Sequence, residues 1–228
     1  MRTPGNDAEL AVGFLVGEGL LTSKSRVTTV GPCNEDPSVQ GSQNVIRVDV
    51  EHPNEEALGR LDRNFYATSS CGVCGKASID AIAVPIGALQ DGPGVTPEQL
   101  QRFPDALRAH QNAFEATGGI HGAGIFDAAG DARVIREDVG RHNATDKAIG
   151  RLFLDGELPA TDAVLVLSGR ASFELVQKAL VAGISCIVAV GAPSTLAIDL
   201  ASRHEATLIG FTRASGFNVY CGASRILD

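Results

Sequence analysis

Apolar and polar residues alternate along Val45-Ile46-Arg47-Val48-Asp49-Val50, the period of a strand with one covered face. Further along, the apolar residues close up into unbroken runs at 163–167, 184–190 and 207–211. Between and around them the period changes to helical, over 144–154, 172–182 and 195–204. Ala148, Ile149, Leu152 and Phe153 share one face of the first of these helices, and Gly183 stops the second. Residues 124–127 and 132–136 read as a β-hairpin around a turn at 128–131, and 217–221 reads as a closing strand. Strands that are apolar on both sides, alternating with helices, predict a parallel sheet covered on both faces.

The first half is less regular. After a turn at residues 2–7, Asn6 and Glu9 have the spacing of a capping box for a helix reaching about Leu21. Gly13 and Gly17 lie four apart in it, which would let another backbone approach closely. Residues 33–43 read as a polar loop, a short strand is expected near 65–68, and 78–95 is punctuated by Gly and Pro. Thr96-Pro97-Glu98 starts a helix to about residue 116, with Thr96 capping and Pro97 at the first helical position.

Composition narrows the class. The chain has 228 residues, 44% hydrophobic and 20% charged, an ordinary globular mix. No apolar run approaches the roughly 18 residues of a membrane span. No basic segment followed by an apolar stretch opens the chain, so we expect no secretory signal. Nineteen basic against 27 acidic side chains give a net charge of −8, which argues against bulk nucleic-acid binding. Five cysteines without a signal read as free thiols of a reducing cytoplasm.

Open α/β sheets bind ligands at the carboxyl ends of their strands. Three such ends carry polar residues here: Ser168-Gly169-Arg170, then Gly191-Ala192-Pro193-Ser194-Thr195, then Phe211-Thr212-Arg213-Ala214-Ser215-Gly216. Taken singly, Ser172, Ser194 and Thr195 are helix caps. Together with two arginines, the three ends make an anion cradle suited to a phosphorylated ligand.

In Ser70-Cys71-Gly72-Val73-Cys74-Gly75-Lys76, glycine amides and a lysine surround two thiols. Both features lower a thiol pKa and favour the nucleophilic thiolate. Structural zinc, a thioredoxin-like redox pair and inert packing are the competing readings. Zinc wants four ligands, and Cys33, Cys186 and Cys221 are scattered, so no metal is expected. The segment from Arg136 to Asn143, with Asp146-Lys147, is the densest polar cluster. His142 with Glu137 or Asp138 has the makings of an acid–base pair, although a capped, salt-bridged helix start explains the cluster equally well. His121 stands among four glycines, an unusual setting for a core filler.

Several motifs, in order along nearly the whole chain, resemble the FdhD family of sulfur carriers required for formate dehydrogenase activity. They are Arg-Thr-Pro-Gly-Asn-Asp-x-Glu-Leu-Ala at 2–11, Ser-Cys-Gly-Val-Cys-Gly-Lys at 70–76 and Gly-Gly-Ile-His at 118–121. Glu-Asp-Val-Gly-Arg-His-Asn-Ala at 137–144 with Asp146-Lys147, and Leu-Ser-Gly-Arg at 167–170, complete the set. Family members carry further residues, strands among them, ahead of the motif with which this chain begins, so those N-terminal strands are expected to be absent.

The resemblance implies an α/β fold like that of cytidine deaminases: a three-layer mixed sheet covered by helices, with an N-terminal embellishment. A single domain would span 1–228, with the Cys-Gly-x-Cys-Gly loop in 1–95 and the deaminase-like core in 96–228. The His-x-Glu and Pro-Cys-x-x-Cys signature of zinc deaminases is missing, which disfavours their chemistry. The family role is to accept persulfide sulfur from a cysteine desulfurase and pass it to molybdenum bis-(molybdopterin guanine dinucleotide), which serves formate dehydrogenase. Cys71 then matches the persulfide carrier, with Cys74 assisting or resolving. The loop Phe211, Thr212, Arg213, Ala214, Ser215, Gly216 matches the guanine-dinucleotide contact, and Ser168, Arg170, Ser194 and His142 join it from the cradle. GDP would mimic half of that cofactor. A homodimer is expected, with the glycine-rich first helix as a possible interface. Two alternatives stay open: a non-covalent chaperone for the molybdenum cofactor, and a nucleotide-modifying hydrolase using His142 and Glu137.

Overall fold

A computed structural model of the chain describes residues 1–33, 45–55, 57–59 and 83–227. The strand expected near 65–68 and the Cys71/Cys74 turn lie outside the described residues. The first helix, α1, spans Asp7–Gly17 and ends one turn short of the expected Leu21. Asn6 caps it in the left-handed region, φ 57°, and makes no side-chain cap. Glu9 does not reach back to complete a capping box. It lies buried in a bidentate ion pair with Arg136, at 2.5 and 2.8 Å.

Strand β1, Val27–Pro32, is missing from the sequence reading, because Gly31-Pro32 hides its alternation. It pairs antiparallel with β2, Ile46–Val50, as a separate two-stranded sheet. Residues 83–94 form no helix or strand, as expected. Helix α2, Pro97–Arg108, has the forecast cap and a full capping box between Thr96 and Gln99. The helix expected to run on to 116 instead breaks near Ala109. A separate short helix, α3, follows at Asn112–Thr117.

The principal sheet has six strands: β3 (His121–Asp127), β4 (Ala132–Asp138), β5 (Ala163–Leu167), β6 (Cys186–Ala189), β7 (Thr207–Arg213) and β8 (Gly216–Cys221). Their order is β4-β3-β5-β6-β7-β8. Helix α4, Arg141–Asp155, links β4 to β5 and starts three residues ahead of the expected Ala144. Helix α5, Phe173–Val181, and helix α6, Thr195–Arg203, make the crossovers that set β5, β6 and β7 parallel. The parallel run expected from the unbroken apolar stretches is these three strands. Hairpins β3-β4 and β7-β8 add antiparallel pairs on both flanks, and β3 meets β5 antiparallel, so the sheet is mixed.

Strict alternation along the parallel strands divides the core in two. Leu165, Leu167, Ile187, Ala189 and Leu208 pack with α1, α4, α5 and α6. Val164, Val166, Cys186, Val188 and Ile209 pack on the other face with Leu100, Phe103 and Leu107 of α2. Continuous apolar runs in the sequence are the signature of this double burial.

Helix α1 docks on α4 through glycine. A Cβ at Gly13 would stand 1.8 Å from the Asp146 carbonyl oxygen, and one at Gly150 would stand 1.9 Å from that of Glu9. The close backbone approach forecast from Gly13 and Gly17 is therefore found at Gly13, and its partner belongs to the same chain. Gly13 faces α4, while Gly17 adjoins Lys178 of α5.

Candidate functional site

The three strand ends lie side by side. The backbone ladder continues past them, Gly191 N donating to Gly169 O at 2.9 Å and Phe211 N to Gly191 O at 3.1 Å. Glycine is required at this seam: a Cβ on Gly191 would press within 3.0 Å of Arg170, and one on Gly210 within 2.8 Å of Pro193. Arg170 and Arg213 are exposed, and neither guanidinium has a hydrogen bond or ion pair among the described residues. Beyond Gly210 the β7-β8 register shifts, and Phe211 adopts φ 53°, a strained region for a bulky residue. Its ring is exposed, Thr212 is buried, and Arg213, Ala214 and Ser215 are exposed up to the hairpin return at Gly216. Sparsely populated backbone of this kind concentrates at ligand-handling sites.

On the other side of the seam stands His121. It opens β3, whose antiparallel pairing with β5 brings its start to the carboxyl end of that strand. Its Nδ1 lies 3.4 Å from where a Cβ on Gly169 would be. Burial lowers its pKa, and the positive charges of Arg141, His142 and Arg170 push the same way. The charged form of the imidazole is therefore disfavoured beside the Arg141 and Arg170 guanidiniums, which make an electropositive rim. Arg141 adds a buried Nε without a hydrogen-bond partner among the described residues.

His142 does not pair with Glu137 or Asp138. Its Nε2 lies 3.2 Å from the Ser172 hydroxyl and 3.7 Å from Glu174, whose pKa is held down to about 2, chiefly by that histidine. Glu137 accepts the amides of Ala113 and Phe114 at the start of α3. Asp138 is fully buried. It accepts from Lys147 at 2.7 Å, from the Thr3 and Gly140 amides at 2.9 Å, and from Asn143 at 3.0 Å. Burial raises its pKa, but those donors outweigh it and the net direction is down. Lys147 also donates to Thr3 O at 2.8 Å, so this part of the polar motif clasps the N-terminal turn. Ser194 caps α6 by accepting from Ala197 N, whereas Ser172 makes no such cap and is left to His142.

Next to His121 and Ser168 a pocket of about 590 Å³ opens between the sheet and α2–α3. Val190 and Ile120 contribute apolar wall, and Asp105, Arg108, Gln111 and Phe114 line the opposite side. None of these last residues stands out in the sequence, where they fall in a stretch predicted as one helix to about 116; the break near Ala109 sets Gln111 between two helices instead.

Two of the described thiols are chemically quiet. Burial pushes Cys186 up to about 12 and raises Cys221 as well. Cys71 and Cys74 lie outside the described residues. Among the described residues no cluster of three His, Cys, Asp or Glu side chains could hold a metal ion, and no helix is long and apolar enough to cross a membrane.

The FdhD/NarQ family profile matches residues 1–227. "Sulfur carrier protein FdhD" of Streptomyces coelicolor is 48% identical over 231 residues, covering 99% of this chain and 82% of that protein. The protein of the same name from Streptomyces avermitilis is 49% identical with the same coverage. That of Sulfurisphaera tokodaii is 38% identical, over 100% of this chain and 83% of its own. A crystal structure of a candidate formate dehydrogenase accessory protein from Desulfotalea psychrophila superposes with a TM-score of 0.75 at 24% identity. It covers all of this chain and 83% of that one, and shows the same fold.

Proposed function

Because the chain belongs to the FdhD/NarQ family, we propose that it is a sulfur carrier that serves formate dehydrogenase. Its cargo is persulfide sulfur taken from a cysteine desulfurase, and its acceptor is molybdenum bis-(molybdopterin guanine dinucleotide), a substrate of this protein. The observation that carries the reading is the likeness, over nearly the whole chain, to relatives named sulfur carrier proteins. The electropositive rim of Arg141 and Arg170 supports it, since it suits a ligand with phosphates.

The carrier is Cys71. Its thiolate attacks the terminal sulfur of the desulfurase persulfide, the S–S bond breaks, and the desulfurase thiolate leaves. Thiolate and persulfide exchange places, with no outside oxidant. Attack by the Cys74 thiolate on the inner sulfur of the Cys71 persulfide releases hydrosulfide and leaves a Cys71–Cys74 disulfide, so the two cysteines, oxidised together, supply the two electrons. The raised pKa values of Cys186 and Cys221 suit neither for this role.

Intact-mass analysis after incubation with a desulfurase and cysteine tests the assignment. We expect one adduct of about 32 Da, a single sulfur atom, removed by thiol reductant and missing in Cys71→Ser. An unmodified wild type under conditions that load a known acceptor would leave the chain a non-covalent cofactor chaperone.

A further inference from the structure

The turn that carries the chain from β4 into α4 is gripped by the N-terminus. Val139 N donates to Thr3 Oγ1 at 2.9 Å, and Lys147 Nζ and Asn143 Nδ2 donate to the carbonyls of Thr3 and Met1 at 2.8 and 3.0 Å. Asp138 divides its carboxylate: Oδ2 accepts from Thr3 N and Lys147, and Oδ1 accepts from Gly140 N and Asn143. Asp138 and Lys147 are 0% and 1% exposed. Burying an ion pair is an expensive way to gain stability, and its best-attested use is to fix a register. Here the register is that of residues 138–140, which burial alone cannot hold, since Val139 is exposed and Gly140 has no side chain. The next residue, Arg141, opens α4. Its Nε is buried without a hydrogen-bond partner among the described residues, and its charge, with that of Arg170, bears on His121.

We propose that Thr3 is a positioning residue: with Asp138 it fixes the 138–140 turn, so that Arg141 is aimed at a phosphate of the ligand from the same rim as Arg170. A small rotation of the backbone at 139–140 is magnified at the far end of an arginine side chain. The two successive amides are held from different parts of the chain, that of Val139 by Thr3 Oγ1 and that of Gly140 by Asp138 Oδ1, which forbids such a rotation. Hydrogen bonds from a guanidinium to phosphate are directional, so setting the side chain in advance removes an ordering cost from binding. The N-terminal turn thereby belongs to the binding machinery, although it touches no ligand itself. The proposal rests on the reading that the crevice holds a phosphorylated cofactor, and it adds the residues that aim one of its cations.

Calorimetric titration of the full chain with GDP, beside the Tm of each variant, decides it. Thr3→Val removes the hydroxyl at nearly constant size, and should weaken GDP by about three- to tenfold, the worth of one hydrogen bond passed on to the ligand. Thr3→Ser, which keeps the hydroxyl, should bind as wild type does. Arg141→Ala should weaken GDP by about tenfold or more. Added to Arg141→Ala, Thr3→Val should cost nothing further, because a residue that acts through another is not additive with it. A lower Tm with unchanged GDP affinity in Thr3→Val would make Thr3 a brace for the fold alone and overturn the inference. An equal loss with and without Arg141 overturns it too, as does an Arg141→Ala protein that binds GDP like wild type. In each of these cases GDP binding by wild type leaves the cofactor reading standing, whereas a wild type that binds no GDP removes both.

Discussion

Asp138 shows how a single carboxylate can be mistaken for chemistry. It stands in the densest polar stretch of the chain, as a candidate acid–base partner for His142, yet all its lone pairs are spent holding Lys147, Thr3, Gly140 and Asn143. Removing one member of a buried ion pair leaves the other charge uncompensated, which costs about 3–5 kcal/mol. Lys147→Met should therefore lose stability on that scale in urea unfolding, and the double change with Asp138→Asn should recover part of it. The acid dependence has a definite sign. The folded pKa of Asp138 lies below its ordinary 3.8, so its pairing contributes fully above that value and fades as pH falls through the folded one. The stability gap between wild type and Lys147→Met should narrow as the pH drops below about 4. A gap of constant size would mean that packing of the lysine stem, rather than charge, is what holds the N-terminal turn.

Between elements, the crossing of α1 on α4 depends on two glycines. Gly13→Ala puts a methyl group 1.8 Å from a backbone oxygen, which no rotamer change can relieve, so the helices must separate. We expect a loss at or above the usual 1–3 kcal/mol for an overpacked core, roughly a 2–12 °C or larger fall in Tm. Gly31→Ala is the control, since a Cβ there meets nothing within 4 Å, and its effect should stay within about 0.5 kcal/mol.

The crossing marks what the sequence could and could not disclose. The spacing of Gly13 and Gly17 announced a close neighbour, but only Gly13 meets α4, which lies more than 120 residues away, and periodicity names a face, never its partner. Strands β5 to β7 and their crossovers were legible because double burial leaves unbroken apolar runs. Strand β1 was not, since Gly and Pro occupy its end. The strand-end crevice was legible from polar residues at three consecutive strand ends. Glu174 as the partner of His142, and Gln111 between two helices, were not, because a helix packing and a helix break create them.

At the scale of the molecule, the crevice collects positive charge from strands and helices distant in the chain, although the net charge is −8. Arg170 and Arg213 flank the Gly191 loop on the two sides of the backbone seam, with no partner among the described residues to compete for them. A guanidinium holding phosphate contributes roughly 1.5–3 kcal/mol. Arg170→Ala and Arg213→Ala should each weaken GDP by about ten- to a hundredfold, and lysine should restore only part, because a point charge cannot reproduce a bidentate fork. Persulfide loading of Cys71 should survive in both. Unchanged GDP affinity in calorimetry would confine these arginines to bracing the fold.

The glycine crossing also sets an order of events during synthesis. Helix α1, apolar on nearly every side, leaves the ribosome well over a hundred residues before α4 exists to receive it. At about 5–20 residues per second, that wait is on the order of ten seconds. Throughout it the nascent chain displays a greasy segment that still lacks its main helical partner, a natural handhold for the chaperones that attend translation.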